Sequence, residues 1–141
     1  MLNVEGFGFE PPPGFRTEEM TVGLRMGLPG SGPQPTFIVQ SRPARARAKL
    51  ADLAAETMSE LAQSVPHMQN LSRSEISFTD GGAGVVLAYD FATQTSDLRQ
   101  YFVLRLHGER LCTVTLTIPR SALTEGNAKS FMQAIASLKP V

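Results

Sequence analysis

The chain has 141 residues, of which 42% are hydrophobic, and its 13 basic and 13 acidic side chains leave no net charge. This composition supports an apolar core and excludes a disordered tail. A balanced charge creates no overall field that would attract nucleic acid or an acidic membrane surface. The length fits one ordinary domain, so residues 1–141 are expected to fold as a single unit.

The sequence has no features of a secreted or membrane-inserted protein. Residues 1–9 contain neither a basic region nor an apolar core of the kind that a signal peptide needs. No stretch approaches the ~20 consecutive apolar residues of a membrane span. Cys112 is the only cysteine, so no disulfide can form within the chain. We therefore expect a cytoplasmic protein without stable membrane insertion.

Proline and glycine clusters divide the first third of the chain into short elements. They lie at residues 11–14 and 27–33, where they indicate turns. Between them, apolar and polar residues alternate, which predicts one strand over residues 18–26. A second strand is predicted over residues 36–40.

Helical periodicity recurs twice. Apolar residues spaced by three and four positions predict a helix over residues 47–65, ended by Pro66. A similar stripe predicts a second helix over residues 127–138.

Four strands are predicted between these helices, over residues 71–78, 85–91, 98–106 and 111–118. Asp80-Gly81 is a strong hairpin signal, and residues 107–110 form another short turn. Strands joined in this way form an antiparallel meander. The predicted fold class is therefore α+β: one antiparallel β-sheet with two helices packed on it.

Candidate catalytic groups are few and scattered. Cys112 alternates with Val114, Leu116 and Ile118, which predicts a buried core position rather than a nucleophile. The two histidines, His67 and His107, do not have metal-ligand spacing. We therefore expect no enzymatic activity, no metal and no cofactor.

Polyanion binding is also disfavoured. The glycine-rich loop over residues 27–33 lacks the Lys-Ser/Thr pair of a phosphate-binding loop. A basic run, Arg42, Arg45, Arg47 and Lys49, contains no aromatic residue on which a base would stack. It is interpreted as a solvated helix start.

The predicted strands are apolar on both faces. Val85, Leu87, Tyr89 and Phe91 lie on one face of a strand, and Val86 and Ala88 lie on the other. A sheet covered on one side only should be polar on its second face. Three explanations are open: a partner chain covers the second face, the face forms a binding groove, or loops and the N-terminal segment cover it. We favour a partner or a groove, and hence a homodimer.

Gln100 is a polar amide among apolar neighbours on the same strand face. A buried amide without a partner costs roughly 1–3 kcal/mol. Either a bound helix supplies its hydrogen bonds, or Gln100 lies at a wet strand end and bonds locally. The sequence favours neither.

Several short stretches stand in a characteristic order along the chain: Leu28-Pro29, Ser31-Gly32-Pro33, Thr36-Phe37-Ile38-Val39, Ser41-Arg42, Ala51-Asp52, Val85-Val86-Leu87-Ala88-Tyr89 and Leu98-Arg99-Gln100 with Phe102. Together they resemble the Eag-type chaperones of type VI secretion, within the DcrB-related, PsbP-like fold group. Their order and spacing, rather than any single motif, carry the resemblance.

The resemblance implies a cytoplasmic homodimer that holds the N-terminal transmembrane helices of a secreted effector in an apolar groove. Gln100 matches a groove glutamine, and Thr57 stands where the family can carry a second one. The client-binding residues implied in this way are Val22, Leu24, Ile38, Thr57, Gln100 and Phe102. The first alternative is a general PsbP-like interaction module with a soluble partner. The second, an enzyme or small-ligand carrier, is disfavoured because ionisable groups do not cluster.

Overall fold

A computed structural model describes residues 1–19, 23–30 and 34–141. Over these ranges the chain forms ten β-strands and two α-helices, with a short 3-10 turn at Arg120–Ala122. The strands are β1 Leu2–Val4, β2 Phe7–Phe9, β3 Arg16–Glu19, β4 Leu24–Gly27, β5 Thr36–Pro43, β6 Gln69–Ser77, β7 Ala83–Ala92, β8 Asp97–His107, β9 Arg110–Pro119 and β10 Lys139–Pro140. The helices are α1 Leu50–Ser64 and α2 Glu125–Ala136. The predicted α+β class is confirmed.

Seven of these strands form one antiparallel sheet in the order β3-β4-β5-β9-β8-β7-β6. Strands β6 to β9 follow one another through short turns and form the predicted meander. Strand β5 pairs with β9, which attaches the N-terminal strands to the other side of the meander. A smaller sheet, β1-β2-β10, joins residues near both ends of the chain.

The single strand predicted over residues 18–26 is wrong, because the chain reverses within it. Strands β3 and β4 are separate and pair antiparallel, with Glu19 opposite Leu24. Gly23 has a φ of 97°, a left-handed conformation that glycine adopts readily and that ends a regular strand. Its position is also crowded, since a Cβ atom there would lie 2.2 Å from the Val39 carbonyl oxygen.

Both helices are shifted slightly from their predicted bounds, and the local backbone explains the shifts. Helix α1 begins at Leu50 because Arg47 has a φ of 60°, which is incompatible with a right-handed helix. It ends before Val65, whose extended backbone is the conformation favoured before proline. Helix α2 begins two residues earlier than predicted, because the Thr124 hydroxyl accepts a hydrogen bond from the Asn127 N–H at 3.2 Å.

One face of the main sheet is covered by α2 and by the small sheet β1-β2-β10. Phe9, Phe37 and Phe131 meet there, and the Phe37 ring centroid lies 5.7 Å from that of Phe9 and 5.8 Å from that of Phe131. The buried set on this face also includes Val4, Phe7, Met26, Val39, Val103, Cys112, Val114, Leu116, Ile118, Ile135 and Leu138. Strands β1, β2 and β10 were not predicted, yet they supply part of this core.

The opposite face of the sheet is covered by α1. Leu53 and Ala54 of the helix pack on Val85, Leu87 and Leu104 of β7 and β8. The central strands are therefore apolar on both faces because each face has its own helix. Helices and strands of the chain itself therefore cover much of the apolar strand surface for which the sequence analysis favoured a partner or a groove.

A buried arginine links the segment that follows α2 to the sheet. Arg105 makes two hydrogen bonds to the Asp80 carboxylate, at 3.0 and 2.7 Å, and donates to the Leu138 carbonyl oxygen at 2.6 Å. Its guanidinium carbon also lies 4.5 Å from the centroid of the Phe78 ring. The hydrogen bonds from Arg105 lower the pKa of Asp80 to about 2, so this carboxylate stays ionised at neutral pH.

We expect Gly23→Ala to destabilise the β3–β4 hairpin by roughly 1–3 kcal/mol, because the new Cβ meets the Val39 carbonyl oxygen and the φ is unfavourable for alanine. Urea unfolding followed by circular dichroism measures this. Gly126→Ala is the matched control, since a Cβ at Gly126 in α2 meets no heavy atom within 4 Å. Equal stability of the two variants would contradict the left-handed conformation and the close contact assigned to Gly23.

Candidate binding site

Cross-strand pairing places two rows of side chains on the sheet face that carries α1. The first row runs Arg16, Gly27, Thr36, Thr117, Gln100 and Tyr89. The second runs Glu18, Arg25, Ile38, Thr115, Phe102 and Leu87. Residues directly opposite each other on neighbouring strands point to the same face, so each row lies on one surface.

Beside α1, part of this face remains accessible. We call this surface the open band and define it by Thr36, Ile38, Leu98, Gln100, Thr115 and Thr117, all of which are partly exposed. Helix α1 lies over β7 and β8, while the band extends over β8, β9 and β5. Its surface combines isoleucine and leucine with three threonine hydroxyls and one amide.

The structure brings together three of the predicted groove residues. Ile38 and Gln100 lie in the open band, and Phe102 lies at its border, where it packs on the cluster beneath α1. Leu24 does not join them. It pairs with Val39 while Arg25 pairs with Ile38, so Leu24 and Ile38 point to opposite faces. The expectation that both line one surface is wrong.

The remaining two predicted groove positions are Val22 and Thr57. Val22 lies outside the described residues. Thr57 lies on the buried side of α1 with 8% of its surface exposed, and its hydroxyl donates to the Leu53 carbonyl oxygen at 2.8 Å. That hydroxyl is already paired within its own helix. Thr57 therefore does not offer the second polar contact that a groove glutamine would provide.

Gln100 is the centre of a polar ladder that crosses three strands. Its amide nitrogen donates to the Thr117 hydroxyl at 2.7 Å, and its amide oxygen accepts from the Tyr89 hydroxyl. Burial raises the pKa of the Tyr89 phenol to about 12, so it remains a donor at neutral pH. Gln100 lies within strand β8 rather than at its end, and its amide bonds to side chains of the neighbouring strands β7 and β9.

The sequence analysis did not assign to this surface two arginines beside the band and one threonine within it. Arg16, Arg25 and Thr36 enter this surface through the β3–β4–β5 pairings. Their alignment depends on the hairpin register, which the prediction of one continuous strand concealed. The threonine alternation in β9 was visible in the sequence and does mark the band.

Catalytic chemistry has no evident centre among the described residues. Cys112 is fully buried in the core, as predicted, and desolvation raises its pKa to about 12. His67 and His107 are both exposed. Within the described ranges, no three His, Cys, Asp or Glu side chains are grouped so that they would hold a metal ion.

The described part of the chain contains no helix that is both long enough and apolar enough to cross a membrane.

Comparison with known proteins identifies the fold. PA94, a protein of unknown function from Pseudomonas aeruginosa, is 21% identical with a TM-score of 0.68, over 90% of this chain and 97% of that one. Cyanobacterial PsbP (CyanoP) from Synechocystis is 13% identical with a TM-score of 0.67, over 96% of this chain and 87% of that one. LpqN, involved in cell envelope biogenesis of Mycobacterium tuberculosis, is 13% identical with a TM-score of 0.63, over 95% of this chain and 83% of that one.

These likenesses show that the chain has the PsbP-like fold. No match is found among protein-family models or among curated proteins. At such low sequence identities, the shared fold does not define a shared function.

We expect Gln100→Leu and Tyr89→Phe each to destabilise the protein by about 1 kcal/mol, because each leaves part of the ladder unpaired. The double variant should lose less than the sum, since it removes both partners of one hydrogen bond. Urea unfolding of the four proteins gives this coupling. Tyr101→Phe is the control, because no hydrogen bond of its hydroxyl is found among the described residues. Strictly additive losses would show that the ladder carries no coupling.

Proposed function

We propose that the chain is a cytoplasmic chaperone or adaptor of type VI secretion, which binds the N-terminal transmembrane helices of an effector in the open band. It would shield these helices from water and assist loading of the effector onto the secretion apparatus. The observation that carries the proposal is the accessible sheet surface beside α1. The resemblance of the short sequence stretches to Eag-type chaperones supports it independently.

The sheet face that α1 leaves uncovered is wide enough for one helix. This face continues from the open band on β9 and β5 onto the neighbouring strands β4 and β3. With strands about 4.8 Å apart, these four span about 14 Å between the first and the last. A helix with side chains is about 10–12 Å wide. One helix therefore fits on this face beside α1.

The chemistry of the band also suits an apolar helix. Ile38 and Leu98 offer apolar contact, and burial of such surface contributes about 25 cal/mol per Å². The hydroxyls of Thr115 and Thr117 and the amide of Gln100 resemble the polar groups through which membrane helices associate. Gln100 retains one N–H and one lone pair beyond its bonds to Thr117 and Tyr89. A polar group on the client would find a partner there.

We expect Ile38→Asp to weaken client binding by at least about tenfold, because the carboxylate would be desolvated beneath the helix. The variant should fold, since Arg25 lies directly opposite position 38 and supplies a counter-charge. A labelled synthetic Ala/Leu helix of about 20 residues with a small-x-x-x-small pattern serves as the client probe. Fluorescence anisotropy measures its affinity, and circular dichroism verifies the fold.

Met132→Asp is the matched control, since Met132 is exposed on α2, which covers the opposite face of the sheet. It should bind the probe as the parent does. If folded Ile38→Asp retains parental affinity, the band is not the client site. If the parent protein does not bind the helix but binds a folded soluble protein, the alternative hypothesis of a general interaction module is correct.

We further propose that the chain is a homodimer. Strand β6 forms one edge of the main sheet and exposes Arg73 and Glu75 on one strand face. Neither side chain has an ion-pair partner within the described ranges. In a twofold antiparallel pairing centred on Ser74, each Arg73 would lie opposite Glu75 of the second copy. This self-complementary charge supports pairing at the β6 edge.

Sedimentation at micromolar concentration should therefore give about twice the chain mass of 15.3 kDa. Arg73→Glu should lower the dimer fraction through like-charge repulsion, and adding Glu75→Arg should restore it. A monomer at all concentrations would refute the dimer. If neither substitution changes the dimer fraction, the β6 edge is not the interface.

A further inference from the structure

A cleft of about 740 Å³ opens at one end of the open band. It lies between the β3–β4 hairpin, the start of the loop after β4, and the turn that joins β7 to β8. Its lining includes Arg16, Arg25, Thr36, Ser96, Leu98 and Thr117. Thr36, Leu98 and Thr117 also belong to the open band, so the cleft and the band form one continuous surface.

The cleft carries an excess of available positive charge. Arg16 has no ion-pair partner within the described ranges. Arg25 meets only Glu18 there, at 3.9 Å, and the two side chains are 50% and 74% exposed. An exposed pair at that separation is weak and leaves the guanidinium accessible. These three charged side chains together give the lining one net positive charge.

The wall opposite the arginines is held in shape by its own hydrogen bonds. In the turn between β7 and β8, the Thr93 hydroxyl accepts from the Ser96 N–H at 3.1 Å and from the Thr95 N–H at 3.4 Å. The Thr93 N–H donates to the Ser96 carbonyl oxygen at 2.8 Å. A closed turn of this kind keeps the hydroxyl side chains of the wall beside the cleft.

We infer that this cleft receives an acidic side chain from the polar flank of the apolar helix bound in the open band. The inference rests on the proposed function and adds the chemistry of the client's flank. A helix that runs along β5 and β9 ends over the cross-strand row in which Arg16 lies with Thr36 and Thr117, so its flank lies near the guanidinium. Guanidinium groups bind carboxylates with paired hydrogen bonds, whereas a lysine flank would be repelled.

Three synthetic helices test this inference. They share one apolar segment and differ only in a flank of two Asp, two Asn or two Lys residues. Anisotropy titrations at low salt should show the Asp flank binding about threefold to fivefold tighter than the Asn flank, and the Lys flank weaker. The preference should vanish at about 0.5 M salt, because accessible charges are screened.

Arg16→Gln should abolish the preference for the Asp flank and leave the affinity for the Asn flank unchanged. The matched control is Arg42→Gln, since Arg42 is exposed on the same sheet face at the far end of β5. If the Asn-flanked helix binds in an Ile38-dependent way without any acidic preference, the inference is overturned and the proposed function stands. A preference that survives Arg16→Gln also overturns it. If no helix binds, both fail.

Discussion

The central strands of the main sheet are apolar on both faces, and an apolar strand surface in water must be covered. This requirement organises the rest of the molecule. On one face, α2 and the small terminal sheet complete the coverage, so that Phe9, Phe37 and Val39 are fully buried. On the other face, α1 covers only β7 and β8 and their surroundings. The open band is the remainder, and its threonines and amide make partial exposure tolerable.

Much of this architecture could be predicted because the relevant signals are local. The 3.6-residue periodicity of α1, the Asp80-Gly81 turn and the alternation in β7 to β9 each depend on a few neighbouring residues. The terminal strands gave no such signal. Strands β1, β2 and β10 have three, three and two residues, too few for a period, and they are strands only because they pair with one another.

The candidate site was less predictable because its geometry depends on register. The alternation of apolar and polar residues within one strand indicates which residues share a face of that strand. It does not indicate how β4 aligns with β5. The reversal between Glu19 and Leu24 and the pairing of Arg25 with Ile38 put Leu24 on the opposite face of the sheet. The same long-range alignment brings Tyr89 and Thr117 to Gln100, although they lie 11 and 17 residues away in the chain. No local pattern encodes such partners.

The small sheet has a consequence for how the protein forms during synthesis. Strand β2 pairs with Lys139 and Pro140, and the Val141 N–H donates to the Gly6 carbonyl oxygen at 2.8 Å. Strand β2 therefore reaches its final pairing only after residues more than 130 positions further along the chain have been translated. Until those leave the ribosome, Phe7 and Phe9 lack part of their final cover, and an exposed apolar surface of this kind favours aggregation. Such widely separated contacts also slow folding, so this corner of the molecule should form last and depend most on protection inside the cell.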